Sequence, residues 1–363
     1  MFVRNCWYMA GWSRDFAAGS LFARTLLGEA LVFYRRTDGG LVALDDRCCH
    51  RLAPLSLGKI EGDDLRCMYH GLRFGPDGQC KEIPQQTFVS KAVRVRAYPV
   101  IERHSAVWIW MGDFAQADAD AIPAFVGHEV PEWAMKPDSI EVAANYALVN
   151  DNLLDLSHVA FVHRNSFGAG DDESSKVFAE TQVKTTQLDH GVRVERRMTN
   201  STVPPYVREL LPQPRADFYI SSDHLVPGIF LLNTRCYPLG TFARYGEDLS
   251  AAQAFFAEFS CQAVTPIDAQ RVYYFFALGP WSQSSELRDF YLQLGHRAFG
   301  EDRAMLEAQQ RVIDRSPGSR MMNLAMDGAT VAFRSRMEAL LCAERTAAAV
   351  ISGTSNASVP TTR

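Results

Sequence analysis

Short apolar runs punctuated by glycine fill residues 1 to about 112. LVFYRR, LVALDDRC, DLRCMYHGLRF and VWIWMG have the length and composition of strands, and Asp38-Gly39-Gly40 and Pro76-Asp77-Gly78 signal turns. A small all-β module over 1–112 is expected. Residues 113–139 mix acidic residues and alanine with three prolines, the composition of a linker packed over a surface. From 140 the pattern changes. A helical segment near 146–163 precedes the strand-like stretches RVERRMTN, HLVPGIFLLNTRCYP, AAQAFFAEFSCQAVTP and RVYYFFALGP, and a long helical period covers roughly 285–315. This predicts an α+β unit over 140–345, an antiparallel sheet with helices on one face. The small, polar residues that end 346–363 are expected to form a disordered tail.

With 363 residues, 47% of them apolar and 22% charged, the chain has material for two cores. A net charge of −5 spread along it argues against a nucleic-acid partner, which would need a basic face. No run of eighteen apolar residues appears and the opening MFVRNCWYMAGWSRD is unlike a signal peptide, so no membrane association and a cytoplasmic location are expected. Eight cysteines without a pairing pattern fit a reducing compartment.

Candidate chemistry begins at residues 48–70, where Cys48-x-His50 and Cys67-x-x-His70 are separated by sixteen residues. Two thiolates and two imidazoles on two loops suit a [2Fe-2S] centre in which cysteines hold one iron and histidines the other. A zinc site is the weaker fit, because zinc motifs usually group cysteine with cysteine and histidine with histidine. A Cys48–Cys67 disulfide would leave both histidines unexplained. Cys49 blurs the register, but adjacent Cys49 and His50 would have trouble reaching two different irons, which favours Cys48.

A second constellation lies in NDNLLDLSHVAFVH, residues 150–163. On a helix, Asn152, Asp155 and His158 would form a polar stripe among Leu153, Leu154, Leu156, Val159, Phe161 and Val162, and buried polar groups need partners such as a metal ion. The bland alternative is a capped helix start with two incidental histidines. His158 and His163 are five residues apart, about 140° around an ideal helix, so sharing one ion requires a distortion or a helix end between them. A mononuclear iron takes two imidazoles and one carboxylate on one face. Asp302 is the candidate for the carboxylate, since Met305 and Leu306 at i+3 and i+4 place it on the inward face of its helix; Glu301 is excluded. Phe218-Tyr219, Phe230-Leu231-Leu232 and Tyr273 to Phe276 are candidates for an apolar pocket, though aromatic residues in strands more often form plain core. Asn233, Arg235 and Gln262 are candidates for holding a substrate carboxylate or sulfonate.

Around Cys48 and Cys67 the sequence resembles the Rieske domain of ring-hydroxylating and demethylating oxygenases, with the pattern C-P-H-R-x-x-P-L-S-x-G followed by C-x-Y-H-G-x-x-F. Cys48, His50, Arg51, Pro54, Leu55, Ser56, Gly58, Cys67, Tyr69, His70, Gly71 and Phe74 match it, and Cys49 stands in place of proline. D-N-L-x-D-x-x-H-x-x-x-x-H and the later E-D-x-x-M-x-E-x-Q are similar to the iron motifs of the same oxygenases. The likeness runs from RNCWYMAGW through at least residue 310, and is closest to oxygenase components of the vanillate O-demethylase, dicamba demethylase and toluenesulfonate methyl-monooxygenase type. It implies an N-terminal all-β Rieske domain and a C-terminal helix-grip-like catalytic domain. It also implies Cys48, His50, Cys67 and His70 as cluster ligands, and His158, His163 and Asp302 as ligands of mononuclear Fe(II). Asp155 would be a bridging acid that accepts from His158 and from His70 of the next subunit in a head-to-tail homotrimer.

The implied reaction uses O2, and electrons from NAD(P)H delivered by a separate reductase of flavin and ferredoxin type. It demethylates an O- or N-methyl group or hydroxylates a methyl group of a small aromatic compound, vanillate-like or an aryl sulfonate or carboxylate. No G-x-G-x-x-G fingerprint for a flavin or nicotinamide lies between a strand and a helix, consistent with an external reductase. Two competing functions stand beside this one: a Rieske electron-transfer protein fused to a ligand-binding domain without oxygenase chemistry, and a zinc-binding structural protein.

Overall fold

Turn residues interrupt the first hundred positions so often that only short strands form. They are β1 (Trp7–Trp12), β2 (Phe22–Leu26), β3 (Glu29–Arg35), β4 (Leu41–Asp45), β5 (Lys59–Glu61), β6 (Asp64–Arg66), β7 (Arg73–Phe74), β8 (Cys80–Glu82), β9 (Ala97–Tyr98), β10 (Val100–Arg103) and β11 (Ala106–Trp110). The structure, a computed structural model, describes residues 1–125, 135–164, 166–167, 172–204, 208, 213–279 and 285–354. The short strands make three antiparallel sheets, ordered β1-β11-β10, β2-β3-β4-β9 and β5-β6-β7-β8. In the last of these, Arg66 pairs with Glu61 and Glu82, and Arg73 with Asp64 and Glu82.

The second part is one seven-stranded antiparallel sheet ordered β12-β18-β17-β16-β15-β14-β13. Its strands are β12 (Lys136–Val142), β13 (Val183–Leu188), β14 (Gly191–Thr202), β15 (Arg215–Leu225), β16 (Ile229–Tyr237), β17 (Phe256–Asp268) and β18 (Arg271–Gly279). Among the described residues five α-helices accompany it: α1 (Tyr146–Leu154), α2 (Asp172–Glu180), α3 (Thr241–Tyr245), α4 (Ser285–Arg315) and α5 (Gly328–Thr354). On one face Phe230, Val264, Tyr274 and Phe276 pack with Val149 and Leu153 of α1 and Phe299 and Leu306 of α4. On the other face Ile229, Cys261, Ala263, Phe275 and Ala277 pack with Trp7, Met9 and Trp108 of the N-terminal module. Burial on both faces explains why β18 reads as an unbroken apolar run rather than an alternation.

α1 is held from two sides. Asn145 caps it by accepting from Ala147 N–H at 2.8 Å, while Gln310 of α4 accepts from Asn145 N–H at 2.8 Å. From α5, Arg334 forms an ion pair with Asp151.

Several expectations change. β12 starts at Lys136, so the boundary expected at 139 falls inside a strand that pairs with β18. Ile122 and Phe125 of the expected linker are buried, and 126–134 lie outside the described residues. HLVPGIFLLNTRCYP covers the end of β15, a turn and β16 of the antiparallel sheet. α5 runs through Thr354, so 346–354 are helical instead of a disordered tail, and 355–363 lie outside the described residues. Among the described residues no helix is long and apolar enough to cross a membrane.

The aromatic seat of α4 governs where Asp302 sits. Phe299, one turn earlier, meets Tyr274 at 5.0 Å and Phe276 at 4.6 Å between ring centroids. Phe299→Ala is expected to cost about 3–5 kcal/mol by chemical unfolding. If Asp302 is a metal ligand, as the sequence leads one to expect, the same change should weaken metal binding, as read by metal analysis after dialysis.

Candidate metal centres

Two loops of the N-terminal module share one backbone solution. In the first, Cys48 N–H donates to Ala53 C=O and Cys48 C=O accepts from Leu52 N–H, each at 2.8 Å. In the second, Cys67 N–H donates to Leu72 C=O at 2.8 Å and Cys67 C=O accepts from Gly71 N–H at 2.9 Å. Closing each turn requires a left-handed residue, Leu52 at φ 57° and Gly71 at φ 77°. Both turns keep the cysteine inside and the histidine outside. Cys48 and Cys67 are buried and neither is in a disulfide, whereas His50 and His70 are exposed with ring centroids 4.5 Å apart. Burial pushes the Cys48 thiol up to about 11, so a cation is the natural partner for its thiolate. Cys49 is exposed, away from the position Cys48 occupies beside Cys67. Cys80 is buried nearby, but its thiol is directed to Glu82 C=O.

The second group forms where α1 stops. Asp155 adopts φ −108° and ψ 92°, ending α1 after Leu154, and a 3-10 turn then covers Leu156–Ala160. The turn ends between His158 and His163, the irregularity that their spacing demands. Asn152, Asp155 and His158 therefore do not form a stripe on one helix. Asp302 of α4 completes the group, and one ligand atom from each of His158, His163 and Asp302 lies within 4.8 Å of the others. Asp302 is buried, as is Leu306 one turn on, but Met305 is exposed, so only the i+4 half of its expected apolar setting holds.

The hydrogen bonds decide what this group can hold. His158 Nδ1–H donates to the backbone carbonyl oxygen of Asp155 at 2.6 Å, and His163 Nδ1–H donates to Glu301 Oε2 at 3.0 Å. Each ring in this tautomer turns a bare Nε2 toward the other, 3.3 Å away. Asp302 Oδ1 and Oδ2 stand 3.4 and 3.2 Å from the two Nε2 atoms, and Oδ1 has no hydrogen bond. Burial opposes charge on both His163 and Asp302, yet their mutual attraction outweighs it: His163 is raised above the usual imidazole value and Asp302 is held below the carboxylate range. One proton can join two of these acceptors, whereas a divalent cation can join all three. The donor set is that of an iron site with two imidazoles and one carboxylate.

Glu301 thus has a role that its exclusion as a ligand hid. It accepts from His163 and also from Ser166 Oγ–H at 2.6 Å, fixing the ring that faces the metal position. The Asp155 carboxylate, expected to accept from His158, instead accepts from Ser157 N–H at 2.9 Å and Ser157 Oγ–H at 2.8 Å, with Arg196 3.4 Å away. The backbone oxygen of Asp155 takes the place expected for its side chain, because the break after Leu154 directs that carbonyl at the ring. This leaves the carboxylate turned elsewhere.

A cavity of about 160 Å³ opens beside His158, His163 and Asp302. An engineered apolar cavity of about 150 Å³ takes up benzene, so one aromatic ring fits. Phe218, Phe230 and Leu232 line it as expected, with Phe299 and Met198 added. Strand alternation directs Tyr219, Leu231, Tyr273 and Phe275 to the other face. Asn233 and Arg235 are likewise absent from the lining, and of the three polar candidates only Gln262 reaches the cavity.

Residues 6–99 match the Rieske [2Fe-2S] domain, and residues 142–343 match the vanillate O-demethylase oxygenase C-terminal domain. The chain is 38% identical to the toluene-4-sulfonate monooxygenase system iron-sulfur subunit of Comamonas testosteroni, covering 95% of this chain and 98% of that one. It is 31% identical to a vanillate O-demethylase oxygenase subunit of a Pseudomonas species, covering 96% and 97%. Dicamba monooxygenase bound to dicamba superposes with a TM-score of 0.82 at 29% identity, covering 95% of this chain and 99% of that one.

Glu301→Gln is expected to lower ferrous-ion affinity about tenfold to a hundredfold in an anaerobic metal titration, with the visible absorbance of the N-terminal centre unchanged. Unaltered affinity would remove Glu301 from the support of His163.

Proposed function

Because the chain belongs to the Rieske non-heme iron oxygenases with a vanillate O-demethylase oxygenase C-terminal domain, we propose that Cys48, His50, Cys67 and His70 hold its [2Fe-2S] cluster and that His158, His163 and Asp302 hold its mononuclear iron. The protein is the terminal oxygenase component of a monooxygenase system, an oxidoreductase. The cluster supplies one-electron transfer, and the iron supplies dioxygen chemistry at a methyl group of a small aromatic substrate. Electrons come from NAD(P)H through a separate reductase, and the cytoplasm is the compartment that cysteines outside disulfides suit.

The protein's own contribution is positional. His158 is oriented by the Asp155 carbonyl and His163 by Glu301, so both rings present unprotonated nitrogen to the iron. Asp302 supplies the negative charge and approaches from α4 on the same side. Phe218, Phe230 and Leu232 give the cavity apolar walls that keep water from the reacting carbon. Three converging acceptors, more than one shared proton can join, are the observation that carries this reading. A Rieske electron carrier fused to a ligand-binding domain would leave that convergence unexplained.

The exposed cluster edge suggests how electrons reach the iron. Leu52, Met68 and Tyr69 surround His50 and His70 and are 69%, 61% and 63% exposed, an apolar rim suited to contact with another subunit. Phe161, beside the second centre, is 75% exposed. In a head-to-tail homotrimer, His70 of one subunit would donate to the Asp155 carboxylate of the next, and Asp155 would link the two centres.

Metal analysis and turnover test this together. About three irons per chain and oxygen-dependent formaldehyde or alcohol from a panel of methoxy-, N-methyl- and methyl-arenes are expected with a surrogate reductase. About two irons and no product would support the electron carrier. Asp155→Asn should keep both metal centres and lower turnover about 100-fold, while full activity in that variant would remove the bridge.

A further inference from the structure

One ionisable group in the cavity wall has no part in metal binding. Glu258 lies on β17, faces the cavity and is 7% exposed. No hydrogen-bonding or ionic partner for its carboxyl is found among the described residues, and burial alone pushes it up to about 8. An unpartnered buried carboxyl is costly to keep in an apolar site. Its neighbours are also unspent. Thr234 of β16 lies directly across from it in the register. Two residues along β17, Ser260 accepts from Gln262 Nε2–H at 2.8 Å, and Gln262 in turn accepts from Tyr274 O–H. This relay fixes the Gln262 amide and leaves the Ser260 proton without an acceptor among the described residues. Glu258, Thr234 and Ser260 thus line the same cavity as His158, His163 and Asp302.

The charge balance of the wall narrows what fits there. No lysine or arginine occurs among the described lining residues. An arenesulfonate or arenecarboxylate would bring a negative charge into this apolar wall beside a carboxyl that burial keeps protonated near neutral pH, with no such cation to offset it. A phenolic hydroxyl or an amine N–H meets a ready acceptor.

We propose that Glu258 is the specificity-determining residue of this pocket, accepting a hydrogen bond from a phenolic hydroxyl or amine N–H on the aromatic substrate and disfavouring arenesulfonates and arenecarboxylates. This rests on the oxygenase reading above and separates the chain from the activity in the name of its toluene-4-sulfonate relative.

The test is equilibrium binding to the iron-loaded holoenzyme without oxygen, by calorimetry, using 3-methoxyphenol and N-methylaniline against 3-methoxybenzoate and 4-toluenesulfonate. The two donors should bind about tenfold or more tightly than the two anions. Glu258→Gln, nearly identical in shape, should cut that advantage about tenfold. Three outcomes overturn the proposal: equal or tighter binding of the anions by the unaltered protein, binding of none of the four probes, or a Glu258→Gln variant with the preference unchanged. A preparation that loads iron, consumes O2 and prefers anions defeats this assignment alone. One that prefers the donors yet neither retains the mononuclear iron nor consumes O2 defeats the oxygenase reading instead.

Discussion

Two imidazole nitrogens and a carboxylate, all hydrogen-bond acceptors, meet between the end of α1 and the middle of α4. With their outer nitrogens committed to the Asp155 carbonyl and to Glu301, the two rings in their neutral form offer each other only lone pairs. Facing lone pairs at 3.3 Å repel unless something positive lies among them. The fold around this point is arranged to hold that arrangement against its own repulsion. α1 is capped through Asn145, tied to α4 through Gln310 and to α5 through Arg334, and then broken at Asp155 so that His158 and His163 can turn to one side.

The same sheet serves two structural neighbours through strand parity. Residues 260, 262 and 264 of β17 face the helices and the cavity, while Cys261 and Ala263 between them bury Trp7, Met9 and Trp108 of the N-terminal module. The catalytic sheet and the cluster-bearing module are therefore two sides of one packed core, bound further where Thr265 Oγ–H donates to Met9 C=O at 2.7 Å. The two cysteine loops pack against β3, β4 and β6 of that module, with thiols inside and histidines at the surface.

Local features were legible in the sequence. Cys48, His50, Cys67 and His70 occupy turns whose geometry depends on a few neighbouring residues, so spacing alone suggested their chemistry. The angular mismatch of His158 and His163 on a helix foretold an interruption, and the 3-10 turn supplies it. What the sequence hid depended on tertiary register. Arg235 and Thr234 are adjacent, and only the pairing of β16 with β17 decides that Thr234 faces the cavity. Met305 belonged to a helix too exposed for the i+3 position to stay inside, whereas Leu306 did. Glu301 gained its role from the position of a ring 138 residues earlier in the sequence, and the carbonyl of Asp155 took a bond that the sequence could only assign to a side group. α5 escaped notice because its alanine-rich run, followed by small polar residues, resembled a tail.

Anomalous diffraction at the iron edge, from crystals grown anaerobically with ferrous ion, tests the central claim most directly. The account predicts an iron peak about 2.0–2.3 Å from His158 Nε2, His163 Nε2 and an Asp302 carboxylate oxygen, separate from the paired irons between Cys48, Cys67, His50 and His70. A map with no iron among those three groups, and the two rings closed on a shared proton, would contradict it.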